Sequence, residues 1–166
     1  MEKYIGTKLV QMQPMTRGDY NIYREWDLPK DEDADDEGYL VEYLDGGKRN
    51  HPLHKGYISW SPKAQAEEAY RLIHSGVGVL TFGDAVHLLK LGHKVTRAGW
   101  NGKGIFLFLV LGSQFKVSRP PLLGIYPEGT EINYRPHIDM KTADGSVSTW
   151  SPTCNDVLAE DWMVVE

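Results

Sequence analysis

Two groups of side chains have the types and spacing for chemistry. Asp139, Asp144, Asp156, Glu160 and Asp161 crowd the C-terminal end and could supply paired carboxylates for acid–base work. Solvated turns and helix ends explain those carboxylates more simply. Arg97, Trp100, Asn101, Tyr126, Tyr134, Arg135, Trp150 and Trp162 form the second group, in which flat aromatics alternate with donors. A stacked base contributes about 1–3 kcal/mol, and a hydrogen bond to a charged group about 1.5–3 kcal/mol. Two stacks, two arginines and several backbone amides reach the roughly −12 kcal/mol of nanomolar binding after ordering costs. Some of these aromatics must be core, and Trp162, in a terminal apolar strand, is read that way.

Other chemical signatures are weak. The chain has no phosphate-loop Gly-Lys-Ser/Thr motif, no dinucleotide fingerprint, no His-Glu-x-x-His and no Gly-x-Ser-x-Gly. "GWNGKG" lacks the Walker spacing and reads as a hairpin turn. Cys154 is the single cysteine, without a His pattern to activate it. His51 and His54 are two ligands with no third nearby, which makes no metal site. The acidic run Asp27, Asp31, Glu32, Asp33, Asp35, Asp36 and Glu37 lacks the glycine and terminal glutamate of a calcium loop, so it reads as a solvated loop. No cofactor is expected, and binding is favoured over catalysis.

The elements that must position these residues follow from periodicity. A short N-terminal strand leads into a helix capped by Thr16, with Tyr20, Tyr23 and Trp26 at helical spacing. "YLVEYLDGG" and "GYISW" read as a hairpin whose long turn is "KRNHPLHK". "WSP" occurs at residues 60–62 and 150–152, each time as a strand-to-helix joint. Ser61 and Ser151 are expected as N-caps, with Pro62 and Pro152 at the first helical position. Gly76 and Gly78 are expected to end the first of these helices. Thr81 and Asp84 form a capping box for a helix that buries Phe82, Ala85, Val86, Leu88 and Leu89 and stops at Gly92. A strand, a turn at Asn101-Gly102 and a strongly apolar strand follow. "INYRPHIDMKTADGSVSTW" reads as two strands joined at Ala143-Asp144-Gly145, before a short helix and the last strand "DWMVVE". The fold class is α+β, with small, mostly antiparallel sheets and short helices in each half.

Composition narrows the class. The 166 residues carry a net charge of −5 and 41% hydrophobic residues, enough for a core. Residues 1–76 hold ten Lys and Arg against fourteen Asp and Glu, and residues 77–166 hold eight against nine. No basic patch offsets this balance, so duplex DNA is excluded as a partner. "IFLFLVL" is too short to cross a bilayer, the N-terminus has no signal-peptide pattern, and one cysteine suits a reducing compartment. The boundary between halves falls at "SGVGVLTFGDAV", giving units 1–76 and 77–166.

The second half carries "LTFGDAVHLLKLGHKVTRAGWNGKGIFLFLV", "SRPPLLGIYPEGTEINYRPHIDMKTADGSVSTWSP" and "DVLAEDWMVVE". On these stretches, with odd details such as "RAGWNGKG" and "LAEDW", it resembles the phage Thoeris anti-defence 2-like family from about Leu80 to Glu166. The first half resembles an accessory segment of other phage proteins, "MTRGDYN…DDEGYLVEY…ISWSPK…AEEAYR".

The resemblance implies a sponge, not an enzyme. Such proteins sequester cyclic ADP-ribose-type signals, notably glycocyclic ADP-ribose, and some capture a cyclic dinucleotide of the CBASS type, all without cleavage. It implies a homo-oligomer, tetramer or dimer, with pockets where protomers meet, working in the host bacterial cytoplasm. Carried onto this chain, it points to Trp100, Asn101, Tyr134, Arg135, Asp139 and Trp150 as ligand-binding residues, with Arg97, Arg119 and His137 as further candidates. The rival readings are an enzyme that degrades the same signal and a protein-binding inhibitor acting through the acidic loop.

Overall fold

A computed structural model describes residues 1–166, which separate into two compact units, Met1–Arg71 and Leu72–Glu166. The fold class is α+β, and no helix is long and apolar enough to cross a membrane.

The N-terminal unit contains β1 (Val10–Pro14), α1 (Arg17–Tyr23), β2 (Gly38–Tyr43), β3 (Tyr57–Pro62) and α2 (Lys63–Ala69). Its three strands pair antiparallel in the order β1-β2-β3. Thr16 caps α1 as expected, its hydroxyl accepting from the Asp19 amide at 3.1 Å. Tyr20, Leu40 and Ile58 form the centre of the core, flanked by Met15, Tyr23 and Trp60.

The expected cap at Ser61 is corrected. Ser61 stays in β3 opposite Tyr39, and α2 begins after Pro62 without a side-chain cap. Three residues beyond Ser61 stands Ala64, which cannot complete a capping box. The Lys63 amide instead donates to the Glu37 carbonyl at 3.0 Å. The expected end of this helix at Gly76 and Gly78 is corrected too: it stops at Ala69, and Tyr70 is extended. Only Ala66 of the helix is buried, and Leu72 and Ile73 are exposed beyond it, so a longer helix would bury nothing more.

The C-terminal unit contains α3 (Phe82–Lys90), β4 (Lys94–Arg97), β5 (Phe106–Val110), β6 (Ser113–Lys116), β7 (Glu131–Tyr134), β8 (His137–Lys141), β9 (Val147–Thr149), α4 (Cys154–Val157) and β10 (Trp162–Val165). Five strands form an antiparallel sheet in the order β10-β4-β5-β8-β9, and β6 pairs with β7 in a separate ribbon. Thr81 and Asp84 make the expected capping box on α3. The helix ends before Gly92, whose φ of +91° a side chain would disfavour.

Strand alternation sorts the sheet's residues by face. Val95, Leu107 and Trp162 are fully buried beneath Ala85, Leu88 and Leu89 of α3, with Leu109, Ile138, Met140 and Val164 beside them. Phe106, Phe108, Val110, Met163 and Val165 alternate onto the opposite face, where they are half-buried.

Two expectations in this unit are corrected. Residues 131–149 hold three strands, not two, because Pro136 has no amide for a ladder and separates β7 from β8. The second "WSP" joint is capped by Thr153, not Ser151, and α4 starts at Cys154 beyond Pro152. Thr153 has Asp156 three residues on and forms a capping box, whereas Ser151 has Cys154 at that place.

Candidate functional site

Trp162 is the buried floor of an aromatic cluster. Trp100 lies 5.4 Å from it edge-on and Trp150 6.1 Å, while the Trp100 and Trp150 rings are 6.1 Å apart. Phe82, the first residue of α3, closes the group 5.7 Å from Trp162. Trp100 and Trp150 are each half-buried, with Asn101 exposed on the turn that follows Trp100.

Two carboxylates hold this cluster in place. Asp156 Oδ1 accepts from Arg97 Nη1 at 2.9 Å and from Trp100 Nε1 at 3.3 Å. Its Oδ2 accepts from the Thr153 amide at 2.9 Å and the Thr153 hydroxyl at 2.7 Å. Asp161 takes Arg97 Nε and the Gly99 amide, both at 2.8 Å. Burial is the largest influence on Asp156 and disfavours its charge, yet the Thr153, Arg97 and Trp100 donors together bring its pKa down to about 2. Asp161 is likewise held below the usual range, its burial outweighed by Arg97 and the Gly99 amide. These carboxylates are committed acceptors. Arg97, with both partners ionised, fixes the Gly99–Asn101 turn.

A second group surrounds β8. The Tyr134 ring lies 5.6 Å from Phe115 and 6.5 Å from His137. His137 Nδ1 lies 2.9 Å from the Arg135 carbonyl, which can only accept, so Nδ1 carries a proton. His137 Nε2 lies 3.6 Å from Asp139 Oδ1, too long for a hydrogen bond but close enough for an ion pair when the ring carries a second proton. Asp139 Oδ1 is shielded from solvent and accepts no hydrogen bond. A buried carboxylate oxygen without a donor is costly, and it is open to a donor brought by another molecule.

The candidates therefore fall into two groups within one chain. Trp100, Trp150 and Arg97 gather on the face covered by α3. His137 and Asp139 lie on the opposite face, where Asp139 pairs with Phe108 and His137 with Val110. Arg135 is exposed next to Tyr134, and Arg119 is exposed in the loop between β6 and β7.

Reasoning from sequence missed the rest of the open face. Lys94 and Lys141 place their ammonium groups 5.4 and 5.8 Å from the Phe106 ring centre. A signal was available in "IFLFLV", which is apolar at every position and not merely at alternate ones. An antiparallel strand apolar on both sides is built to be covered on both.

Other candidates resolve locally. Asp144 is enclosed by Thr142 and Ser146 in the β8–β9 turn, and the Thr142 hydroxyl first among these donors holds its pKa down to about 2. Glu32 of the acidic loop pairs with Arg17. Both ring nitrogens of His54 are taken, by Glu42 and Tyr23. A cleft of about 380 Å³ in the N-terminal unit is lined by Met15, Asp19, Glu37, Tyr39 and Lys63 among others, and none of the nine candidates borders it.

A family model described as the Thoeris anti-defense 2-like domain matches residues 80–165, all within the C-terminal unit. The chain is also similar to a protein of Bacillus phage SP01 named Thoeris anti-defense 2. The two are 41% identical over 90 residues, covering 52% of this chain and 94% of the phage SP01 protein.

Proposed function

We propose, on the premise that this chain belongs to the Thoeris anti-defense 2-like family and is a phage anti-defense protein, that its C-terminal unit captures cyclic nucleotide immune signals and holds them uncleaved. The signals are cyclic ADP-ribose-type molecules, with glycocyclic ADP-ribose first, and cyclic dinucleotides. They share the ribose hydroxyls, base edges and phosphates that this unit is equipped to meet.

The observation that carries this reading is Asp139 Oδ1, a shielded carboxylate oxygen that accepts no hydrogen bond from within the chain. A ribose hydroxyl or a base amine supplies that donor. Tyr134 offers a half-exposed ring 6.5 Å from that of His137, and Arg135, Lys94 and Lys141 offer cations for phosphate. Trp100 and Trp150 offer further stacking surface, held by Asp156 and the aromatic floor. No nucleophile is needed, because starving the host effector requires only tight, slow-releasing capture.

Separation of the two groups on opposite faces supports a pocket shared between copies of the chain. The open face, with Phe106, Phe108, Val110, Met163 and Val165, has the half-buried apolar character of a surface that a second copy covers. The working state in this reading is a homo-oligomer, dimer or tetramer, in the host bacterial cytoplasm.

Calorimetry of the full chain against glycocyclic ADP-ribose and a panel of cyclic dinucleotides tests the reading. Saturable heat with at least one of them is expected. Flat titrations with every member of the panel would sink it.

A further inference from the structure

The family match leaves residues 1–71 without a role, and in that unit one set of side chains is arranged for chemistry. The Tyr23 hydroxyl lies 2.8 Å from His54 Nε2, and His54 Nδ1 lies 2.7 Å from Glu42 Oε2. Glu42 Oε1 accepts from the Lys55 and Gly56 amides at 2.8 and 2.9 Å. A carboxylate pinned in this way is an acceptor only, so Nδ1 of His54 carries the proton and Nε2 turns its lone pair to the phenol. The order along the chain of bonds is nucleophile, base, orienter.

The surroundings keep that order in place. His54 and Glu42 are only 15% and 12% exposed, which limits competition from water, while Tyr23 is half-buried and reachable. His51 stacks on the Tyr23 ring at 4.5 Å and 29°, fixing its plane. Asn50 donates to the Ile58 carbonyl and accepts from its amide, both at 2.8 Å, and so anchors the loop that carries both histidines. The loop is already tied to the sheet by Asn50 and by the two amides on Glu42. The His54–Tyr23 bond is not needed to hold it.

Charge indicates the substrate class. Residues 46–56 contain Lys48, Arg49 and Lys55, all exposed, and no acid, within a unit that is acidic overall. A cationic loop that itself carries the base suits an anionic electrophile.

We propose that Tyr23 is a nucleophile, activated by His54 and positioned through Glu42, that takes up a phosphoryl-type group from an activated phosphate ester. The phenol oxygen attacks phosphorus while its proton passes to His54 Nε2. The new O–P bond forms as the bond to the leaving oxygen breaks. That oxygen departs with the electron pair and receives the proton from His54, and nothing is oxidised or reduced. This step is independent of the capture reading for the C-terminal unit.

The test incubates the full chain with the p-nitrophenyl ester of thymidine 5′-monophosphate, followed by intact-mass measurement and peptide mapping. A thymidylyl adduct on Tyr23 is expected, with stoichiometric release of p-nitrophenol. Tyr23→Phe, which keeps the ring and its stack on His51, should give none. His54→Gln and Glu42→Gln should slow the adduct by about a hundredfold or more, and His54→Gln should lose the pH dependence of the wild-type rate. An unmodified Tyr23 in the wild-type chain overturns the proposal, whatever the variants do. So does labelling of folded His54→Gln at the wild-type rate.

Discussion

Replacing Asp156 with alanine tests how the C-terminal unit is assembled. Three consequences follow from its bonds. Thr153 loses the carboxylate of its capping box, at about 1 kcal/mol. Trp100 Nε1 loses its acceptor in a half-buried place, at about 1–3 kcal/mol. Arg97 keeps Asp161 but loses one of two partners, so only part of the roughly 3–5 kcal/mol of a broken buried pair applies. Because the three share one carboxylate they do not add fully, and a loss of about 3–5 kcal/mol is expected. That is a large share of the stability of a small domain. Urea unfolding followed by tryptophan fluorescence reads it, since Trp100, Trp150 and Trp162 all report on this unit. Asp156→Asn, which preserves shape and one acceptor, should fall between wild type and alanine. A midpoint for Asp156→Ala corresponding to a change under about 0.5 kcal/mol, the range of ordinary surface substitutions, would refute the claim that Asp156 anchors this site.

Other outcomes follow from the same structure. Asp156 has a folded pKa of about 2 against an ordinary 3.8, so its contribution is present above the ordinary value and lost as pH falls towards 2. Wild type should therefore lose about 2 kcal/mol more than Asp156→Ala between neutral pH and that range, measured by paired urea titrations. Thr81→Ala removes the capping box of α3 and should destabilise the C-terminal unit by about 1 kcal/mol in the same assay. Asp139→Ala removes a shielded oxygen with no hydrogen bond and only a long contact to His137, so thermal stability should change little, while capture of the signal weakens by about tenfold or more in calorimetry. Wild-type affinity in that variant would remove Asp139 from the pocket.

What could be read from sequence depended on how local the cause was. Thr81 with Asp84 and the Gly92 stop were legible because each rests on residues within a single turn of the chain. "WSP" was legible as a joint but not as a cap, since the capping box belongs to Thr153 and the first-turn amide of α2 finds the Glu37 carbonyl in the loop before β2. The division of site candidates between two sheet faces depends on the register of β8 against β5, which pairs Asp139 with Phe108. Spacing along one strand does not disclose that register. Tyr23, His54 and Glu42 come from a helix, a loop and a strand, and only the folded hairpin brings them into one line. The two histidines were visible as a pair, but their partners were not.

The C-terminal unit is proposed to capture its signal without chemistry. Excess full-length protein should be mixed with glycocyclic ADP-ribose, passed through a filter to remove free ligand, heated to unfold the protein, and the released molecule weighed by mass spectrometry. The signal is expected to be retained by the protein and to return at its original mass in full yield. A hydrolysed or otherwise altered product after heating, or a signal that passes the filter unbound, would contradict it.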